Sequence, residues 1–131
     1  MNLKILTLTY LLSFAGIVVL ANSGSELSFI IFSKIKVIPF YDKILHVLLL
    51  GGMTYLFNSA FNFPKIQIGN FAFLLWTLLI GIGITIEEFS QIFNPYRNFE
   101  IPDLICNYAG ILMGNMVFNH TTSIKSRFNF E

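Results

Sequence analysis

The chain has 131 residues, of which 55% are hydrophobic and 11% are charged, and its mean hydropathy is +0.71. This composition excludes an ordinary soluble domain. The formal net charge of +1 gives no strongly basic surface, so no nucleic-acid partner is predicted. Cys106 is the single cysteine, which excludes an intramolecular disulfide.

Four apolar runs dominate the chain. A helix needs about 20 apolar residues to cross ~30 Å of hydrocarbon. The runs that approach this length are Leu3–Ala21, Ile44–Phe61, Phe71–Phe93 and Leu104–Phe118. With their polar ends they predict helices over about 3–21, 42–61, 71–93 and 102–119. The sequence therefore predicts a single domain, residues 1–131, with an all-α integral membrane fold: an antiparallel bundle of four transmembrane helices.

The N-terminal run has features of a secretory signal. Lys4 precedes the apolar residues, and residues 20–23 resemble a small-residue cleavage site. The apolar stretch is longer than the roughly 7–15 residues of a signal peptide, so we predict that the first helix is retained. Two interpretations stay open for the connection 22–41, which carries apolar residues with Lys34 and Lys36. One is a segment lying along the lipid headgroups, and the other is an ordinary ordered loop.

Polar residues share faces of the second and third predicted helices. Side chains advance by about 100° per residue, so Asp42 and His46 lie on one stripe. Glu88 and Gln91 also lie on one side of their helix, whereas Glu87 points about 100° away. Ionisable groups within a membrane span are costly to place, which makes a functional site the leading hypothesis for these positions.

The fourth predicted helix carries one polar-to-small stripe. Asp103, Asn107, Gly110 and Gly114 are separated by four, three and four residues, so they fall on one face. Gly110 and Gly114 predict close packing against another helix. Asp103 and Asn107 lie nearer the start of the helix and need a different explanation.

The antiparallel order predicts one polar site at a single membrane face. It brings together the start of the second helix, the end of the third and the start of the fourth. The predicted catalytic or binding residues are Asp42, Lys43, His46, Glu88, Gln91, Arg97, Asp103 and Asn107. Simpler explanations stay open for single residues: a helix cap for Asp42 or Asp103, an ion pair between Arg97 and Glu100 or Asp103, and a core position for His46.

The same residues form three spaced motifs. They are Asp42-Lys43-x-x-His46, Glu88-x-x-Gln91-x-Phe93-x-x-x-Arg97 and Asp103-x-x-x-Asn107-x-x-Gly110-x-x-x-Gly114. Together they resemble the VanZ-like family over the last three helices, while the first helix matches only as a hydrophobic span. The resemblance implies a small multi-pass membrane protein of the cell envelope. It also implies a link to antibiotic resistance, against the glycopeptide teicoplanin.

The favoured function is binding or modification of a phosphate-bearing lipid or envelope precursor. Arg97 and Lys43 suit phosphate oxygens, and His46 or Glu88 suits acid–base work. Gln91 and Asn107 would orient the headgroup. Membrane lipids, including a lipid-linked phosphate, are therefore the predicted partners.

A variant of this hypothesis places a divalent cation at the site. Asp42, His46, Glu88 and Asp103 would be its ligands. Their spacing matches no metal signature, so neither a metal nor another cofactor is predicted.

Two other function classes stay open. A small transporter would relay protons through Glu88 and His46. A non-catalytic accessory protein would pack against another membrane protein through Gly51 and Gly52, or through Gly110 and Gly114. The second class leaves open a protein partner or a homo-oligomer.

The distribution of basic residues predicts the orientation. Apart from the site residues, Lys4, Lys65, Lys125 and Arg127 lie at one end of the bundle, against Lys34 and Lys36 at the other. Positive residues favour the cytoplasmic side. We therefore predict a cell-membrane protein with both termini in the cytoplasm and the site on the outer face.

Overall fold

The structure, a computed structural model, describes residues 2–35, 39–61 and 64–128 and is mostly helical there. Its elements are α1 (Leu3–Asn22), α2 (Glu26–Ile35), α3 (Tyr41–Ala60), β1 (Lys65–Ile68), β2 (Phe71–Leu74), α4 (Leu75–Ser90), a 3₁₀ turn (Gln91–Phe93) and α5 (Ile101–Phe128). The described part therefore contains a small sheet beside its five helices, so the all-α prediction needs correction at that point.

Three helices among the described residues are long and apolar enough to cross a membrane. They are Leu3–Asn22, Leu75–Phe93, which includes the 3₁₀ turn, and Ile101–Ile124. The helix α3 is not among them, because Asp42, Lys43 and other polar residues lower its hydropathy. The predicted helical fold is thus confirmed, with three candidate spans rather than the four predicted.

A β-hairpin replaces the start of the third predicted helix. Strands β1 and β2 pair antiparallel, with Lys65 opposite Leu74 and Ile68 opposite Phe71. Gly69 has a φ of +60°, as the first central residue of a type II′ hairpin turn requires. The helix therefore begins at Leu75, four residues later than predicted.

The long connection after α1 contains a helix, so the interpretation as a loop is wrong over Glu26–Ile35. The Ser25 hydroxyl accepts a hydrogen bond from the Ser28 backbone N–H at 3.2 Å, which satisfies one free donor of the first turn. Gly24 precedes this helix with a φ of +60°, and a Cβ there would lie 2.5 Å from the Tyr96 ring. Most apolar side chains of α2 are exposed.

The helix α3 lies at the centre and contacts α1, α4 and α5. The buried hydrophobic core is formed by Leu50, Met53, Phe57, Ile84 and Ile111. The Tyr10 hydroxyl ties α1 to α3 by donating to the Leu49 carbonyl at 2.9 Å. The Thr7 hydroxyl shares its one proton between the Leu3 carbonyl at 2.9 Å and the Leu56 carbonyl at 3.3 Å. These contacts hold α1 against the middle and the C-terminal part of α3.

Small residues let α3 and α5 approach at backbone distance. A Cβ on Gly110 would overlap the Val47 carbonyl oxygen, and one on Gly114 would overlap the Gly51 carbonyl oxygen. On the other side of α3, a Cβ on Gly52 would lie 2.8 Å from the Tyr10 hydroxyl. These glycines therefore pack within the chain and do not form the free docking surface considered for an accessory protein.

Candidate functional site

A cleft of about 470 Å³ opens between α1, α2, α3, the end of α4 and the loop before α5. One part of its lining is apolar and includes Phe14, Ile17, Leu45, Leu49 and Ile84. The polar part includes Asn22, Asp42, His46, Glu87, Arg97, Glu100 and Asp103. The cleft is therefore amphipathic along its length, with the charged groups gathered at one end.

The Lys43 ammonium is surrounded by carboxylates. It donates to Asp42 Oδ2 at 2.9 Å and to Glu100 Oε2 at 2.9 Å, and it also bonds Asp103. The Asp103 side chain is almost buried, whereas half of the Glu100 side chain is exposed. Because all three ammonium donors have protein acceptors, Lys43 is committed to these acids and is not a free ligand for phosphate. Arg97 does not form the ion pair with Glu100 or Asp103 that the sequence left open.

The carboxylates around Lys43 also have the spacing of a cation site. Oxygen atoms of Asp42, Glu100 and Asp103 lie within 4.8 Å of one another. Carboxylate oxygens are the ligands that Ca²⁺ and Mg²⁺ prefer. The same three carboxylates bond the Lys43 ammonium, which supplies the positive charge that a metal would bring.

A second set of hydrogen bonds runs from the cleft into the bundle. His46 Nδ1 lies 2.9 Å from Asn107 Oδ1, and Asn107 Nδ2 donates to Glu88 Oε2 at 3.2 Å. The amide oxygen can only accept, so this arrangement places a proton on His46 Nδ1. His46 Nε2 lies 3.6 Å from Asp103 Oδ2. His46 of α3, Asn107 of α5 and Glu88 of α4 are thus linked by successive hydrogen bonds.

Burial separates the predicted site residues into two layers. Glu88 and Asn107 are 0% exposed and Gln91 is 2% exposed, and none of the three lines the cleft. Asp42, His46, Arg97 and Asp103 do line it. The first group is therefore placed to hold His46 and the end of α4, whereas the second group is placed to contact a ligand.

Glu87 is a cleft residue that the sequence analysis left out of the site. Its carboxylate accepts hydrogen bonds from Gln91 Nε2 at 3.2 Å and from Asn22 Nδ2 at 3.4 Å. The Gln91 side-chain amide therefore binds the Glu87 carboxylate and not the Glu88 carboxylate. Gln91 follows Glu87 by one helical turn, and this spacing was a signal that the two side chains meet.

The loop before α5 carries Arg97 to the cleft. Asn94 organises this loop: its amide donates to the Asn22 carbonyl at 3.2 Å, and its Oδ1 accepts from the Tyr96 backbone N–H at 2.9 Å. Within the described residues, no side chain lies within hydrogen-bond or ion-pair distance of the half-buried Arg97 guanidinium. Arg97 is thus a cation that lines the cleft without an ion pair to a protein carboxylate, and its charge interacts only at longer range with the Glu88 carboxylate.

The opposite half of the bundle contains a neutral polar cluster that the sequence analysis missed. Asn58 Nδ2 donates to Thr77 Oγ1 at 3.0 Å, and Thr77 Oγ1 donates to Asn115 Oδ1 at 3.0 Å. Asn115 Nδ2 and Asn119 Nδ2 both donate to the Ala72 carbonyl at 3.1 Å. The four-residue spacing of Asn115 and Asn119, which places both on one face of α5, was the sequence signal for this cluster. These bonds tie β2 to three helices, which is a structural role.

Comparison with known proteins now identifies the family. A sequence model of the VanZ/LLP1 family matches residues 3–123, which include all the helices that build the cleft. No curated protein and no solved structure matches the chain. The family membership and the three apolar helices fit an integral membrane protein. The predicted VanZ-like family is confirmed: the chain belongs to the VanZ/LLP1 family.

Proposed function

We propose that the protein binds a phosphate-bearing membrane lipid in the cleft, with the headgroup at Arg97 and an acyl chain along the apolar wall. The unpaired Arg97 guanidinium is the observation that carries this proposal. A guanidinium binds phosphate through two parallel hydrogen bonds. Phe14 of α1 and Leu49 of α3 supply apolar surface for a chain that enters beside the headgroup.

Modification of the bound lipid is a second candidate, supported by the position of His46. Its ring lines the cleft, while its Nδ1 is hydrogen-bonded to Asn107, which lies outside the cleft lining. A histidine held in this way next to a phosphate is suited to general acid–base work. The expected link to teicoplanin resistance stays a prediction from the family resemblance.

Substitution of Arg97 tests the binding function. We expect Arg97→Gln to lower the binding of phosphatidylglycerol about tenfold, because a charge-assisted, two-bond contact is lost. Arg97→Lys should lose nearly as much affinity, since an ammonium keeps the positive charge but cannot form the two parallel hydrogen bonds of a guanidinium. Binding of phosphatidylglycerol and of diacylglycerol with the same acyl chains is measured by native mass spectrometry of the purified protein. The difference between the two bound fractions gives the contribution of the phosphate to binding.

The matched control is Lys34→Gln, which removes an exposed cation of α2 outside the cleft. It should bind phosphatidylglycerol as the unmodified protein does. Binding of phosphatidylglycerol by Arg97→Gln at the level of this control would contradict the proposal.

We further propose that α3 crosses the membrane as a fourth helix, with the hairpin in the cytoplasm and the cleft on the outer face. The exposed positions Glu26 and Asn70 report on the two sides. In a Cys106→Ser background, Glu26→Cys should react with an impermeant thiol reagent on intact cells. Asn70→Cys should react only after the membrane is permeabilised, and the reverse pattern would overturn the orientation.

A further inference from the structure

One corner of the cleft is rich in hydrogen-bond acceptors and poor in donors. The Glu87 carboxylate has neutral amide donors from Gln91 and Asn22, and no cation of the described residues lies within ion-pair distance of it. A carboxylate offers about four acceptor positions, so capacity remains. In the same corner, Asn22 Oδ1 is buried and has no protein donor in the described ranges. Glu87 and Asn22 both line the cleft.

Arg97 and Glu87 are opposite charges in one cleft that do not pair with each other. A charge that is left without an ionic partner at a half-buried position is costly. A purely anionic ligand would satisfy Arg97 but would meet repulsion from Glu87 and from the acids around Lys43. A ligand that carries both charges satisfies both residues at once.

We propose that the cleft selects a zwitterionic phospholipid whose headgroup carries a primary ammonium. The phosphate binds Arg97, while the ammonium donates to Glu87 and to Asn22 Oδ1. A primary ammonium has three N–H donors for these acceptors, whereas a trimethylated ammonium has none. This inference rests on the proposed lipid binding and adds the headgroup class.

Headgroup selectivity is the test. The purified protein is mixed with phosphatidylethanolamine, phosphatidylcholine, phosphatidylglycerol or diacylglycerol, all with the same acyl chains, and the bound fraction is read by native mass spectrometry. We expect phosphatidylethanolamine to bind about tenfold better than the other two phospholipids, the effect of one charge-assisted hydrogen bond. Glu87→Gln should abolish this preference and should raise phosphatidylglycerol binding, because the repulsion between its carboxylate and an anionic headgroup is removed. Glu26→Gln removes an acid outside the cleft and should retain the preference.

The outcomes separate the two proposals. If phosphatidylcholine or phosphatidylglycerol binds the unmodified protein as well as phosphatidylethanolamine does, the headgroup inference is wrong and lipid binding stands. If no phospholipid binds better than diacylglycerol, lipid-phosphate binding is wrong as well. Equal binding of water-soluble glycerophosphoethanolamine would overturn the lipid as the source of the headgroup. The comparison of the four lipids with the unmodified protein tests the headgroup inference even if the Glu87→Gln variant does not accumulate.

Discussion

Gly110→Leu is expected to prevent stable folding. The first side-chain carbon would already overlap the Val47 carbonyl oxygen, so α3 and α5 would have to separate along their whole contact. Overpacking a rigid contact costs about 1–3 kcal/mol or more, and a backbone atom cannot move aside as a side chain does. We expect a loss of about 3 kcal/mol or more, which is a large part of the roughly 5–15 kcal/mol that stabilises a typical domain. Thermal unfolding and size-exclusion elution in detergent measure the effect.

The matched control for this substitution is Gly83→Leu in α4. No atom lies within 4 Å of the position that a Cβ would occupy there. Leucine is also the better helix former, by up to about 1 kcal/mol. This variant should therefore elute and unfold like the unmodified protein. If Gly110→Leu does the same, the close contact of α3 with α5 is wrong.

Lys43→Met is expected to destabilise the protein and to create a cation-dependent stability. The substitution keeps an unbranched side chain one atom shorter but leaves Asp42, Glu100 and the nearly buried Asp103 without their shared counter-charge. Removing one partner of a fully buried pair costs about 3–5 kcal/mol, and partial exposure reduces this to about 2 kcal/mol here. Millimolar Ca²⁺ should restore much of the loss, because the freed oxygens lie within 4.8 Å of one another.

Two comparisons isolate this effect. Lys65→Met removes an exposed lysine of β1 and should change neither the unfolding temperature nor its response to Ca²⁺. The double variant Lys43→Met/Asp103→Asn should recover stability relative to Lys43→Met, because it removes the most buried of the three acids. If Lys43→Met unfolds at the temperature of the unmodified protein, the acids do not depend on this ammonium.

Much of the buried network followed from helical periodicity. The steps between Asp103, Asn107 and Gly110 place them on one face of α5, and that face meets Lys43, His46 and Val47 of α3. Antiparallel connectivity brought Glu88 to the same level, where it bonds Asn107. Local periodicity and short connections carry this information without knowledge of distant contacts.

Helical periodicity shows which residues share a face of a helix, but it does not show which other element that face contacts. Periodicity separated Glu87 from Glu88 but did not show that the Glu87 side of α4 borders the cleft formed with α1 and α2. The strand Phe71–Leu74 continues without a break into an apolar helix, so its apolar run alone did not separate the strand from the helix, and only its local pairing with Lys65–Ile68 does so. The neutral residues of the opposite cluster satisfy one another, so a search for unpaired charges passes over them.

The most direct measurement of the central claim is an experimental structure of the unmodified protein in nanodiscs that contain phosphatidylethanolamine and phosphatidylglycerol. We predict density for a phospholipid in the cleft, with its phosphate within hydrogen-bond distance of the Arg97 guanidinium and a chain beside Leu49. Lipid density confined to the outer surfaces of the helices, with Arg97 paired to a protein carboxylate, would contradict the account.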